Sequence, residues 1–246
     1  MIGLLLMACF WASHRCNSRA VDQKSSAMSN LDSASLIVQA AIEYAGGLSA
    51  WKAKKRLQFT KAYTLFLESG EIEKQVLETH DYQYAPLKIT IESEEDHQSL
   101  ITVLENGQYR RFKGDSLLHV GEEALEKAIN SATYVVSVPF NLLDEGTVLA
   151  YEGIQKMPNG QMAEVVRVSY GQASSDVWRY YFHPESKRVM ANSVVTDGHT
   201  SFVENLSFER IGGILFFKKR KSWRIDRAGN FQYLRAEYNY DNYQLQ

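Results

Sequence analysis

Histidine side chains are the groups in this sequence best suited to metal binding or proton transfer. Beyond the first segment the chain carries five of them, His80, His97, His119, His183 and His199. None belongs to an HxH or HExxH pattern, the spacings at which one local element directs two imidazoles at one metal ion. Folding could assemble three of them into a zinc site, but single histidines in turns are the ordinary case. The sequence therefore predicts no metal site and no cofactor.

Hydroxyl and carboxylate side chains give no clearer sign of catalysis. The sequence lacks GxSxG, the pattern that places a serine nucleophile on a sharp turn. The acidic run from Glu92 to Asp96 lacks the glycine and the alternating oxygen ligands of a calcium loop, so we expect a solvated hairpin tip. We expect a protein that is not an enzyme. A hydrolase that uses histidines and carboxylates assembled by the fold is the least favoured alternative.

Basic residues cluster only from Lys218 to Lys221. In a strand, Lys218 and Arg220 face one way and the two lysines between and after them face the other. The run could contact anionic lipid head groups, or it could be charge on an exposed strand that discourages edge pairing. The net charge of −2 offers no field for phosphate backbones, so we expect no nucleic acid partner.

The elements that must position these groups are mostly strands. Hydrophobic residues make up 45% of the chain and charged residues 23%, which are globular values, and the aromatic content of 12% favours strands. From Arg56 to Leu67 the apolar residues recur with a period of two, as in a strand with one apolar face. Turn signals such as Asn106-Gly107 separate about eleven strand-length segments.

Two helices are predicted among these strands. Residues 34–44 have helical periodicity and end at Gly46-Gly47, which supplies a left-handed stop. Residues 121–129 begin with acidic side chains and contain good helix formers. The middle of the chain, from Val138 to Gly146, is apolar, and Pro139 must end any helix that reaches it. We expect this middle segment to be a buried clamp between two blocks of strands.

The predicted fold class is α+β. It consists of a large curved antiparallel β-sheet, a half-barrel of about eleven strands, with two helices over the concave side. A wide concave side filled by only two helices predicts an apolar cavity for a hydrophobic ligand. The candidate inward-facing residues are Leu57, Phe59, Leu65, Trp178, Tyr180, Phe182, Phe202 and Phe208. Alternatively, these side chains interlock as a dry core, and the protein is a non-catalytic scaffold that acts through its outer surface.

The first segment predicts export. Residues 1–16 contain an apolar run too short to span a bilayer, as in a signal peptide, and Leu6-Met7-Ala8-Cys9 resembles a lipobox. No Lys or Arg precedes this run. Lipidation at Cys9, which would anchor the protein to a membrane, and cleavage near Ser13 or Cys16 are both open. Residues 17–32 are a serine-rich flexible tether, and residues 33–246 form a single domain without cysteine.

The order of these elements, a helix ending in Gly-Gly, long paired strands, a second helix and many hairpins, resembles the half-barrel of the LolA/LolB lipoprotein carriers. Local phrases around Val138–Asp144, Leu149–Gly153 and Asp176–Ser186 also resemble a family of envelope lipoproteins. The resemblance covers residues 33–240. It implies a cell-envelope protein, in the periplasm or on the periplasmic side of the outer membrane, that binds a lipid or a lipoprotein acyl chain. It carries over no catalytic residue, and it leaves the oligomeric state open.

Overall fold

The computed structural model describes residues 33–170, 176–196 and 198–246, which fold into three α-helices and thirteen strands. The first helix, α1, occupies residues 33–44 of the described chain. It is followed by α2 (Leu48–Ala53), α3 (Glu122–Ser137) and a short 3₁₀ helix (Phe140–Leu143). The strands are β1 (Arg56–Phe66), β2 (Ile72–Tyr84), β3 (Leu87–Glu95), β4 (Gln98–Glu105), β5 (Gln108–Lys113), β6 (Ser116–Leu118), β7 (Thr147–Lys156), β8 (Met162–Tyr170), β9 (Val177–Phe182), β10 (Val189–Thr196), β11 (His199–Ile211), β12 (Ile214–Ile225) and β13 (Phe231–Leu245).

All thirteen strands belong to one antiparallel sheet, with the order β6-β5-β4-β3-β2-β1-β13-β12-β11-β10-β9-β8-β7. The sheet is open, because β6 and β7 lie at opposite edges. The predicted strand count of about eleven was too low, because the sheet has thirteen strands. The two strands that were not predicted are β6, which is only three residues long, and β7, which directly follows the apolar middle segment.

Helix α3 crosses the sheet because the topology requires it. β6 ends on one edge just before α3, and β7 begins on the other edge just after the 3₁₀ helix. The connection must therefore pass over one face, which we call the inner face. Phe140 and Leu142 of the 3₁₀ helix are buried in the main core, which confirms the predicted burial for the first part of the middle segment, whereas residues 143–146 are exposed. The two blocks of strands, however, are halves of one sheet joined by pairing of β1 with β13.

Helix α3 is longer than predicted and continues through Ser137 instead of ending near residue 129. Its buried residues, Leu125, Ile129 and Val136, lie along one stripe at helical spacing. The segment Tyr134-Val135-Val136 is rich in strand-favouring residue types, which concealed the last turns. The helix ends before Pro139, as the sequence predicted.

The Gly-Gly stop of α1 is confirmed. Gly46 and Gly47 have φ values of 122° and 87°, and the carbonyl oxygen of Ala45 accepts a hydrogen bond of 2.8 Å from the N–H of Leu215 on β12. A Cβ atom on Gly46 would lie 2.6 Å from the carbonyl oxygen of Gly213. The close approach of helix and hairpin therefore requires glycine at this position. Within the described part of the chain, none of the helices is long and apolar enough to cross a membrane.

Two apolar clusters lie on opposite faces of the sheet. The main core, on the inner face, includes Tyr180, and the smaller cluster includes its neighbour Tyr181, because consecutive strand residues point to opposite sides. Phe202 belongs to the smaller cluster and packs edge-on against Tyr181, with ring centroids 5.5 Å apart. The prediction that Phe202 faces the concave side was therefore wrong.

Phe208, on the same strand as Phe202, does pack against the main core. Simple alternation would place both residues on one face, but the register of β11 shifts between Asn205 and Ser207 and again between Ser207 and Phe208. Such bulges change which side chains face inward. Phe208 consequently contacts Phe217 of β12, at a centroid distance of 5.8 Å.

Candidate functional site

A cavity of about 660 Å³ lies between the second half of α3 and the inner face of the sheet. This volume is within the range of about 300–1,000 Å³ that small-molecule sites occupy. Apolar and aromatic side chains form most of its wall, and polar groups stand at its mouth and at its far end. The lining residues are Lys127, Asn130, Ser131, Tyr134, Val135, Val138, Tyr170, Trp178, Tyr180, Asn192, Phe217 and Arg220.

Two of the eight predicted ligand-binding residues, Trp178 and Tyr180, line this cavity. Leu57, Phe59 and Phe182 are instead buried in the main core, where they have no free surface for a ligand. Leu65 is half-buried and belongs to neither cluster. The predicted alternative of interlocking aromatic side chains therefore describes part of the inner face, and a cavity occupies another part.

Three tyrosines join α3 to the sheet along the cavity wall. The hydroxyl of Tyr134 on α3 is hydrogen-bonded to the hydroxyl of Tyr170 at the end of β8, and it lies 2.7 Å from the hydroxyl of Tyr180 on β9. Burial raises the pKa of Tyr170 to about 12, against a smaller opposing effect of the Tyr180 hydrogen bond. Burial also raises the pKa of Tyr180 well above its usual range. The hydroxyls of Tyr170 and Tyr180 are therefore neutral hydrogen-bonding groups near neutral pH.

Arg220 of β12 forms the polar end of the cavity and is only 7% exposed. Its Nε–H donates to Oδ1 of Asn205 at 2.7 Å, and its Nη2–H donates to Oδ1 of Asn192 at 2.9 Å. The guanidinium carbon also lies 4.8 Å from the centroid of the Phe217 ring, a cation–π contact. Sequence reasoning missed this residue as a cavity residue, because it placed Arg220 within a basic run.

Two other members of that run form surface ion pairs. Lys218 pairs with Glu209 and Asp241, and Lys221 pairs with Glu237. The run is therefore not a single basic patch. This agrees with the prediction that its side chains alternate between the two faces of a strand. The interpretation as edge protection was wrong, because β12 is paired on both sides, with β11 and with β13.

A buried polar network lies on the inner face over β1 and β2. Lys61 Nζ donates to Glu78 Oε2 at 2.8 Å, and the same oxygen lies 3.0 Å from His80 Nε2. His80 Nδ1 lies 2.7 Å from the hydroxyl of Tyr82. Burial lowers the pKa of His80, against the opposing effects of Glu78, so the imidazole is neutral near neutral pH. Its Nε2–H then donates to Glu78, and its Nδ1 accepts from Tyr82.

The pairing of His80 with Glu78 is relevant to the alternative that the protein is a hydrolase. It brings a histidine and a carboxylate together, as a catalytic pair would require, but both ring nitrogens of His80 are already engaged. The ring is also stacked on Phe59 at 4.5 Å and is 1% exposed. In this arrangement neither ring nitrogen of His80 is free to exchange a proton with another group.

Two further expectations concern acidic groups. In the part of the chain that the structure describes, no group of three or more His, Cys, Asp or Glu residues could hold a metal ion. The acidic run at Glu92–Asp96 occupies the end of β3 and the exposed β3–β4 turn, consistent with the predicted hairpin tip, and Lys113 pairs with Glu95 and Asp96. The predicted signal segment, the tether and the lipidation site Cys9 lie outside the described residues.

The chain resembles several solved structures in fold. No family model and no curated protein matches the chain. Among solved structures, the chain is similar to a LolA superfamily protein from Nitrosomonas europaea, with 10% identity, a TM-score of 0.48 and coverage of 87% of this chain and 93% of that one. It is also similar to a DUF1329 family protein from Desulfovibrio piger, with 8% identity, a TM-score of 0.45 and coverage of 86% and 92%.

A third similar structure is the lipoprotein LppX of Mycobacterium tuberculosis, with 12% identity, a TM-score of 0.30 and coverage of 84% and 94%.

Proposed function

We propose that this protein binds a hydrophobic ligand, the acyl chain of a lipid or of a lipoprotein, in the cavity under α3. The observation that carries the proposal is the cavity of about 660 Å³ whose wall includes Tyr134, Val135, Trp178 and Phe217. An apolar space of this size costs packing energy if it is left empty, because its lining loses dispersion contacts. An acyl chain would restore those contacts.

The geometry favours a chain-like ligand that enters beside α3. Ser131 and Lys127 are exposed and stand at the mouth, whereas Tyr180 and Arg220 are buried at the far end. The ligand would pass from the mouth along the aromatic wall toward Arg220. We place the protein in the cell envelope, on the basis of its N-terminal apolar run, and we assign it a binding role without catalysis.

Native mass spectrometry of the full chain, followed by lipid extraction of the same sample, tests the proposal. We expect a stoichiometric adduct that extraction identifies as a fatty acid or an acyl lipid. Val135→Trp should abolish the adduct, because the larger side chain fills the cavity. Glu123→Trp is the matched control, since it places the same side chain at an exposed position of the same helix.

A clean mass for the unmodified chain, with no thermal shift on addition of fatty acid, would contradict the proposal. Retention of the adduct in Val135→Trp would show that the ligand binds elsewhere on the molecule. A clean mass would favour the scaffold alternative, in which the outer surface recruits a partner.

A further inference from the structure

Arg220 is a buried cation without a buried anion. The cavity-lining guanidinium has two neutral amides as its hydrogen-bond partners among the described residues, Asn192 and Asn205. No ion pair of the described chain includes it. Lys61, a half-buried cation on the same face, is by contrast paired with Glu78 at 2.8 Å.

The lack of a counter-charge makes the burial of Arg220 energetically costly. Removing a charge from water is costly unless a counter-charge or a full set of hydrogen bonds compensates for it. Asn192 and Asn205 supply partial compensation through their amide oxygens, and the Phe217 ring adds a cation–π contact. None of these groups carries a negative charge, so the site still favours an anion.

Some N–H donors of the cavity residues Arg220 and Asn192 have no acceptor among the described residues. A guanidinium group has five N–H donors, and one on Nε and one on Nη2 reach the two asparagine oxygens. The Nη1 donors have no acceptor among the described residues, although Arg220 lines the cavity. The Nδ2 group of Asn192, which also lines the cavity, likewise has no acceptor within the described chain. A planar acid group placed there would meet N–H donors from both residues.

We propose that Arg220 and Asn192 bind the carboxylate of a long-chain fatty acid whose hydrocarbon chain lies along the aromatic wall. This inference rests on the proposed function and adds to it the head group of the ligand and the direction in which the ligand lies. The acid end is buried deepest, and the methyl end points to the mouth beside Ser131.

Palmitic acid and methyl palmitate provide the test, because they share one hydrocarbon chain and differ in the charged carboxylate. Binding of each to the full-length protein is measured by isothermal titration calorimetry below the concentration at which the lipids aggregate. We expect palmitate to bind about tenfold more tightly or better than the ester, the effect of a hydrogen bond to a charged group. Arg220→Gln should remove this preference, so that the acid and the ester bind to the variant with the same affinity. Arg179→Gln, at a half-buried arginine that pairs with Glu152 outside the cavity, is the control and should keep the preference.

Asn192→Asp provides a second variant that retains the size of the side chain and brings its own carboxylate to Arg220. It should abolish the preference for palmitate and raise the melting temperature, because the buried cation gains an internal partner. This variant keeps the inference testable if Arg220→Gln fails to fold.

Equal affinity for acid and ester in the unmodified protein, or a preference that survives both substitutions at the cavity, would overturn the assignment of Arg220 and leave the proposed function standing. If hexadecyl phosphate bound tightly and palmitate bound weakly, the head group of the ligand would be a phosphate and the assignment of a carboxylate would be wrong. If the protein bound neither the acid nor the ester, the proposed function itself would be contradicted.

Discussion

The hydroxyl of Tyr134 on α3 lies 2.7 Å from the hydroxyl of Tyr180 on β9. This contact fixes the last turns of a helix that crosses the sheet from one edge to the other, and it sets the height of the cavity beneath that helix. Helix α3 also contacts β4 and β5 in the other half of the sheet. The helix that covers the cavity is therefore attached to both halves of the sheet.

Tyr134→Phe should destabilise the protein by about 1–3 kcal/mol, because the buried hydroxyls of Tyr170 and Tyr180 lose their shared partner. Urea unfolding measures the change, and amide hydrogen exchange should show faster exchange in the second half of α3. Tyr44→Phe is the matched control, since Tyr44 is 39% exposed and its hydroxyl has no hydrogen bond within the described chain. Equal stability of the two variants would contradict a role for the tyrosine cluster in holding the helix.

Trp178 should report on the ligand directly, because its indole lines the cavity. A palmitic acid brominated along its chain is expected to quench the fluorescence of the protein, and Trp178→Phe should lose most of that quenching. Trp223→Phe is the control, since Trp223 packs against the smaller cluster on the opposite face of the sheet. Quenching that depends on Trp223 and not on Trp178 would place the ligand on the wrong face for our proposal.

Stability should fall with acidification because of Glu78. Burial alone raises the pKa of this carboxyl, but the hydrogen bond from His80 and the charge and hydrogen bond of Lys61 outweigh burial and lower the pKa from 4.5 to about 2. A lowered pKa in the folded state gives stability that is complete above the unfolded value of 4.5 and is lost as the pH falls toward 2. The full loss corresponds to about 3 kcal/mol.

Urea unfolding between pH 6 and pH 2 checks this dependence. Glu78→Gln should flatten the acid limb of the stability curve, because the titrating group is absent. Glu94→Gln, at a side chain that is 73% exposed on a hairpin tip, should leave the limb as it is. If both variants keep the same acid limb, other carboxylates account for the loss of stability.

Gly46→Ala should cost about 1–3 kcal/mol, since a Cβ atom there meets the carbonyl oxygen of Gly213 at 2.6 Å in a left-handed backbone conformation. Gly70→Ala separates the two causes: its φ is also positive, at 87°, but nothing lies within 4 Å of the added atom. We expect the control to lose about 1 kcal/mol, from backbone strain alone. Thermal unfolding of the two variants measures the difference, and equal losses would mean that the helix can move away from the hairpin.

The sequence predicted the features that local chemistry determines. The Gly46-Gly47 stop depends on residues adjacent in the chain, as does the hairpin at Asn106-Gly107, where both residues have positive φ. The end of α3 depends on Pro139 in the same way. These signals act over a few residues, so a single sequence is enough to detect them.

The site escaped prediction because long-range contacts create it. Arg220 becomes a cavity residue through amides that are 15 and 28 residues away and through a helix from the other half of the chain. Phe202 and Phe208 look equivalent by alternation, but two register shifts between them place them on opposite faces. Irregularities of this kind follow from the packing of neighbouring strands and leave no clear mark in composition.

The pairing of β1 with β13 has a consequence for how the protein is made. Thr60 faces Asp241 across this pair, so the two central strands of the sheet come from distant parts of the chain. The centre of the sheet cannot form until β13 has been synthesised, and contacts of such long range slow folding. Until then β1 and β12 are unpaired edges able to recruit strands from other molecules. A chain truncated before β13 would therefore present two open edges at its centre, and we expect it to aggregate and not to fold as a smaller sheet.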